Sequence, residues 1–162
     1  MPLLINQQIV EDNWITLSPE MLEESVELPQ GDLIVPFTYF LENQAVLDAH
    51  EGQVGVQVNG DDNLAELYRL HQAFPLIAVE FPVLRDGRGF SIAMQLVRQK
   101  FQGQLRAVGD VAHDRLGYME RCGFNAFQIP EERFSQKDLA VFNEISVHYQ
   151  GSAEDPRPLF RR

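Results

Sequence analysis

From residue 31 onward, short apolar runs alternate with amphipathic stretches, and this alternation constrains the chain more than any other feature. The strand candidates are Leu33–Phe37, Val54–Val58, Leu76–Phe81, Leu105–Gly109, Ala126–Ile129 and Val147–Gln150. Helical spacing of apolar residues fills the gaps. A helix capped by Thr38 runs to Gly52 and buries Phe40, Leu41, Ala45 and Leu47. The next, capped by Asp61 or Asp62, carries Leu64, Leu67, Leu70 and Phe74 to a stop at Pro75. A third starts near Gly89 and presents Ile92, Leu96 and Val97 before Gly103. A fourth runs from about Ala112 to Cys122, with Gly123 as its terminator, and a fifth covers Ser135–Ile145.

Strands alternating with helices imply parallel pairing through right-handed crossovers. The fold class expected is therefore α/β, built of repeated βα units around a mainly parallel sheet. Six units fall short of the eight that close a barrel of about 250 residues, which leaves an open doubly wound sheet or a half-barrel. The 162 residues suit one domain. Residues 1–30 read as an N-terminal β extension, 31–150 as the βα core and 151–162 as an extended tail. In the extension, Ile5–Val10 and Trp14–Leu17 flank Glu11-Asp12-Asn13 as a small hairpin, and Ser18-Pro19-Glu20 opens a helix that Pro29-Gln30-Gly31 ends.

Charge is distributed unevenly. Residues 1–68 hold thirteen acidic residues and no Lys or Arg, whereas residues 69–162 hold all 13 basic residues and balance at +2. An acidic front can steer a basic partner or simply keep the chain soluble. Nucleic acid is disfavoured as a partner, because phosphate binding needs a basic stripe. No apolar run reaches the roughly 18–20 residues that span a bilayer, and the opening segment shows neither a basic n-region nor a cleavage site. A cytoplasmic protein is expected. The single cysteine, Cys122, excludes an internal disulfide, a thiolate zinc site and a self-held iron–sulfur cluster. His50, His71, His113 and His148 show no metal spacing; His113, near a strand end, is the one worth mutating.

Ligands of parallel sheets bind beyond the C-terminal strand ends. The densest such end is Glu80 to Ser91. Gly87, Gly89 and the first turn at Phe90-Ser91 offer free N–H groups and close approach, and Arg85 and Arg88 add charge, so Arg85, Asp86, Gly87, Arg88, Gly89 and Ser91 form a candidate anion site. The competing reading is a tight turn in which Asp86 caps the helix and Arg88 pairs with a carboxylate. The segment is neither a P-loop nor a dinucleotide fingerprint. Glu80 and Asp110 are candidate catalytic carboxylates: with neighbouring strands in register, Glu80 lies level with Gly109, and such a pair splits into acid and base. Arg106, in a buried strand, joins the anion set or is held in a structural network with Glu80, Asp110, Asp86 or Asp114, since an unpaired interior charge costs several kcal/mol. Cys122 reads as a small buried hydrophobe, with a redox role as the lesser alternative.

The strings Phe81-Pro-x-x-x-Asp86-Gly-Arg-Gly-Phe-Ser91, Gly103-x-Leu-Arg-Ala-Val-Gly-Asp110, Asp114 and Arg121-Cys-Gly-Phe-x-x-Phe127 resemble a bacterial family, domain of unknown function 934. Trp14, Pro36, Val54-Gly-Val56 and Pro158-Leu-Phe-Arg-Arg162 extend the likeness. The family carries an oxidoreductase label in sulfite reduction. The resemblance implies a setting in sulfate assimilation and cysteine biosynthesis, beside a sirohaem sulfite reductase. It supplies no catalytic residues. The chain offers no cluster cysteines, haem motif or nucleotide fingerprint, so no cofactor is evident. A flavin or nicotinamide remains open through a phosphate at the Gly87-Arg88-Gly89 turn.

Three readings follow. The first is an accessory protein docking on the sulfite reductase haemoprotein subunit through its acidic half, where reversal of Glu20, Glu23, Glu24 and Glu27 weakens the complex, with a small anion at the arginine–glycine turn. The second is an enzyme acting on a small anionic or phosphorylated substrate, held by Arg88 and Arg85, while Asp110 and Glu80 exchange protons. The third is a homo-oligomeric scaffold in which a second copy completes the sheet.

Overall fold

The computed structural model describes residues 2–24, 27–130, 132, 134 and 139–161. Its elements in chain order are β1 (Leu3–Ile5), β2 (Gln8–Val10), β3 (Trp14–Thr16), α1 (Pro19–Glu24), β4 (Asp32–Pro36), α2 (Phe37–Glu42), α3 (Gln44–Asp48), β5 (Val54–Val58), α4 (Leu64–Leu70), β6 (Leu76–Phe81), α5 (Arg88–Arg98), β7 (Gln104–Gly109), α6 (Leu116–Cys122), β8 (Ala126–Gln128) and α7 (Val141–Glu144). They make one eight-stranded sheet in the order β2-β1-β8-β7-β6-β5-β4-β3. β3 through β8 run parallel, and β1 is antiparallel to both its neighbours.

The order from β3 to β8 follows the chain, so right-handed crossovers place the connecting helices on one face. Of the two expected architectures, this is the half-barrel. A doubly wound sheet needs a reversal of strand order, and none occurs. The helix-side face of the sheet (Leu33, Val35, Val56, Ile77, Val79, Phe81, Leu105, Ala107) packs on Phe37, Leu67, Ile92, Leu96, Leu116 and Met119. The other face carries a second, smaller core of Ile34, Leu76, Ala78 and Val108, with Trp14 against it.

That inner face is buried because the sheet curls. The edge strands β2 and β3 are consecutive in sequence, joined only by Glu11-Asp12-Asn13. A flat sheet of eight strands at about 4.8 Å spacing would hold its edges about 34 Å apart, while the four residue steps from Val10 to Trp14 span at most about 14 Å. Segment 8–16 therefore serves both edges, its first half paired with β1 and its second half with β4. Pleat parity holds through the connection, so that Asp12 and Trp14 share the inner face with Ile34, Ala78 and Arg106.

This corrects the N-terminal reading. The hairpin joins Leu3–Ile5 to Gln8–Val10 through Asn6 and Gln7, both at positive φ (50° and 65°), as a primed two-residue turn requires. Trp14–Thr16 belongs to the opposite edge. The helix expected over 38–52 breaks at Asn43, whose side chain bonds back to the Tyr39 carbonyl (3.0 Å) and whose own carbonyl starts the next turn; Ala45 is exposed as a result. Asn63, not Asp61 or Asp62, caps α4 by accepting from Glu66 N. Gly123 ends α6 at φ 111°. Residues 147–150 form no strand, and of the fifth expected helix, positions 135–138 lie outside the described residues while α7 covers only Val141–Glu144. The tail is not simply extended: Ala153 N donates to the Arg121 carbonyl and Leu159 N to that of Tyr149, and Leu159–Arg161 make a 3₁₀ turn. Among the described residues no helix is long and apolar enough to cross a membrane.

Candidate functional site

Curled parallel sheets present their chemistry where strand C-terminal ends meet. Here the ends of β5, β6 and β7 meet, because these strands are successive neighbours in the sheet. Gln57 on β5 and Glu80 on β6 face the inner side, and Gln57 Nε2 donates to Glu80 Oε2 (3.2 Å). Glu80 is half-buried and lies level with Val108 rather than Gly109, one residue short of the expected register.

Asp110 follows Gly109, which adopts φ +85°; a Cβ there would stand 2.5 Å from the Phe81 carbonyl oxygen. That glycine folds the chain over the end of β6, and Asp110 N donates to the same Phe81 carbonyl (2.8 Å). The left-handed residue breaks the alternation that would have set Asp110 on one face with Arg106 and Val108.

Beside Glu80, β5 ends in a tight turn. Asp62 Oδ2 accepts from Asn59 N (2.7 Å), and Asn59 Oδ1 accepts from Asp61 N (2.8 Å). Burial pushes the Asp62 carboxyl upward against that hydrogen bond, and the charges of Asp61 and Glu80 push the same way. Composition gave no signal for Asp62 as a chemical group. Gln57 was legible in principle, since the alternation in Val54-Gly-Val-Gln-Val58 puts it opposite the helix-facing valines.

The arginine–glycine turn is internally neutralised. The Arg88 guanidinium bonds Asp61 (Nη1 to Oδ1, 2.6 Å) and Asp86 (Nη2 to Oδ2, 2.8 Å), while Asp86 Oδ1 also accepts from Arg88 N (3.0 Å) at the start of α5. The Arg88 hydrogen bonds hold the Asp86 carboxyl down at about 2, and Asp61 is lowered by the same guanidinium. An anion at this helix start must displace two carboxylates. The glycines serve different ends. A Cβ on Gly89 would lie 2.6 Å from the Phe81 ring, so this residue lets α5 pack on the sheet, whereas Gly87 (φ −93°) faces open space. Gly60 leaves room for the Arg88 side chain. Arg85 and Ser91 are exposed. Arg115 stacks over Phe81 and Phe90 and donates to the Leu84 carbonyl (2.8 Å), which ties the loop to the start of α6.

Arg106 is fully buried, with Ala78 and Ala126 beside it in register. The two small residues clear the interior for its guanidinium, which meets Asp12 in a bidentate pair (2.7 and 3.1 Å). With its amide turned to suit, Gln104 accepts from Nε and Nη2 of Arg106 (3.1 and 3.2 Å). The partner is thus Asp12, from the closing segment, and not Glu80, Asp110, Asp86 or Asp114. His113 is exposed, and Cys122 is buried with its thiol pushed up by burial. Among the described residues no group of three or more His, Cys, Asp or Glu is placed to hold a metal.

Fold and site together define an α/β protein of the singly wound, curled-sheet class, with a carboxylate-rich mouth and an ion pair inside. The chain belongs to the family of bacterial proteins of unknown function designated DUF934, whose family model matches residues 55–160. The match takes in Glu80, Asp86, Arg88, Arg106 and Asp110 and leaves Asp12 and Trp14 outside. No curated protein and no solved structure matches the chain.

Proposed function

We propose that this protein is an accessory factor of assimilatory sulfite reduction that docks on the haemoprotein subunit of a sirohaem sulfite reductase through its acidic side. One observation carries the docking half of this reading. Strand order follows chain order from β3 onward, so the thirteen acidic residues of positions 1–68, all at or after Glu11, gather along β3, β4, β5, α1–α4 and their connections. Glu20, Glu23, Glu27, Glu42, Asp48 and Glu51 are exposed there. A one-sign face of this kind raises association rates with a basic partner and weakens with salt. The pathway half rests on the family resemblance.

The test is binding of the purified chain to the haemoprotein subunit at low and high salt. Salt-sensitive association is expected, and Glu20→Lys/Glu23→Lys/Glu27→Lys should slow it. Affinity unchanged by the triple reversal at low salt removes the acidic side from the interface.

A second reading, an enzyme acting on a small anionic or phosphorylated substrate with flavin or nicotinamide assistance, has its own supporting observation. Asp62, whose carboxyl burial pushes upward, stands beside Glu80 at the mouth, and two carboxyl groups at adjacent strand ends suit proton exchange with a bound substrate. Arg88→Ala frees Asp61 and Asp86. Under this reading it abolishes binding of phosphate, sulfite or flavin mononucleotide while the fold persists; a loss of fold with no ligand effect makes Arg88 purely structural.

A further inference from the structure

Five of the twelve exposed large hydrophobic side chains among the described residues (Ile145, Val147, Tyr149, Leu159 and Phe160) fall in the last eighteen positions. Exposed apolar surface concentrated this way marks an interaction surface. Next to it lies a groove of about 430 Å³ between α6, α7 and residues 145–155. Its lining joins apolar Tyr118, Phe142 and Ile145 to acidic Asp114, Glu144 and Glu154. The guanidinium of Arg121, also at the groove, is occupied by the carbonyls of Gln150 (2.9 Å) and Gly151 (3.3 Å). An occupant that fits must bring apolar side chains followed by positive charge.

This chain contains such a segment. Leu159-Phe160-Arg161-Arg162 is the one four-residue stretch of the sequence that joins two large apolar residues to two cations. Leu159 and Phe160 are 43% and 67% exposed. Leu159 and Phe160 are held away from their own groove: Leu159 N is bound to the Tyr149 carbonyl (2.9 Å), the Phe160 ring rests 6.0 Å from that of Tyr149, and neither residue lines the cavity. We propose that Leu159–Arg162 of one copy docks in the α6–α7 groove of a second copy, and reciprocally, so that the protein forms a twofold dimer. Phe160 packs against Tyr118, Phe142 and Ile145, and Arg161 meets Glu144 and Glu154. Exchange of one patch for the same patch on the partner is isologous, so the assembly closes at two.

Sedimentation equilibrium of the full chain tests this. A concentration-dependent dimer is expected, weaker in high salt. Phe160→Asp/Arg161→Glu removes the segment's chemistry, and Glu144→Arg/Glu154→Arg removes the groove's; each should raise the dimer dissociation constant at least tenfold. All four positions are exposed, so circular dichroism should stay unchanged in both variants. Mixing the two variants should recover association of intermediate strength, because one segment–groove joint remains intact. A chain that stays monomeric over the accessible concentration range overturns the proposal. So does a dimer indifferent to both sets of substitutions, which would place the contact elsewhere.

Discussion

Asp12→Ala is the sharpest probe of how this sheet is closed. Asp12 sits in the three-residue connection between the two edge strands, and its carboxylate is bound bidentately by Arg106, whose side chain is fully buried. Removing one partner of such a pair leaves an uncompensated charge in the interior, at a cost of about 3–5 kcal/mol. Domains of this size are stable by only about 5–15 kcal/mol, so the substitution removes about a fifth of the total or more. At a urea slope of about 2–3 kcal/mol/M, the midpoint should fall by roughly 1–2.5 M. Trp14 is the one tryptophan, two residues from the lesion and packed on the inner core, so its fluorescence reports the transition directly. The double variant Asp12→Leu/Arg106→Met replaces the pair with apolar groups and should recover most of the loss, because the desolvation cost disappears with the charge. A loss below about 1 kcal/mol for Asp12→Ala would place the pair in the range of exposed surface pairs and refute a desolvated Arg106.

Other outcomes follow from the same structure. Gly109→Ala forces a side chain into φ +85° and against the Phe81 carbonyl oxygen; the left-handed conformation alone costs about 1–2 kcal/mol, measurable by the same urea transition. Asp86 and Asp62 should act on acid stability with opposite signs. The Asp86 carboxyl is depressed to about 2 in the folded state, so its contribution is full above its ordinary value of 3.8 and is lost as pH falls toward 2; Asp86→Asn should flatten that part of a stability–pH curve. The Asp62 carboxyl is raised, so the folded state binds its proton more tightly and stability declines as pH rises past 3.8; Asp62→Asn should remove that decline and leave the neutral-pH form at least as stable. The Cys122 thiol, buried and pushed up, should react with a disulfide reagent only as fast as the surrounding helix opens, and urea should accelerate the reaction.

What could be read from residues alone divides along a physical line. β5 and β6 have the expected bounds, Val54–Val58 and Leu76–Phe81, because strands buried on both faces are written as near-continuous apolar runs that local pattern detects. The pairing demand on Arg106 was legible for the same local reason, but its partner lies 94 residues away and no spacing rule reaches that far. The N-terminal strands failed differently. Gln7 takes a positive φ without being glycine or asparagine, so the turn that splits Ile5–Val10 carries half of its usual signature, and the pairing of Trp14–Thr16 with β4 depends on the closed path of the whole sheet. At the mouth, the Asp61–Asp62 pair reads as a helix cap from sequence; the strand-end turn at Asn59 claims both residues first, and Asn63 takes the cap.

The sequential strand order turns the charge pattern along the chain into a pattern around the sheet. In a doubly wound sheet, early and late elements lie on both faces and at both sides of the switch point, so a charge gradient along the chain is scattered over the surface. In a singly wound sheet, position in the chain becomes position around the curl. The acids before Arg69 therefore fall along the chain from the β2–β3 connection to α4, and twelve of the thirteen basic residues follow them in sequence, from Arg85 onward. The uncharged residues 2–10 lie at the seam, between β8 and the closing segment. The Asp12–Arg106 pair spans this division inside the sheet, tying the acidic side to β7. The acidic stretch thus includes the turn at the end of β5, where Asp62 stands beside Glu80 of β6.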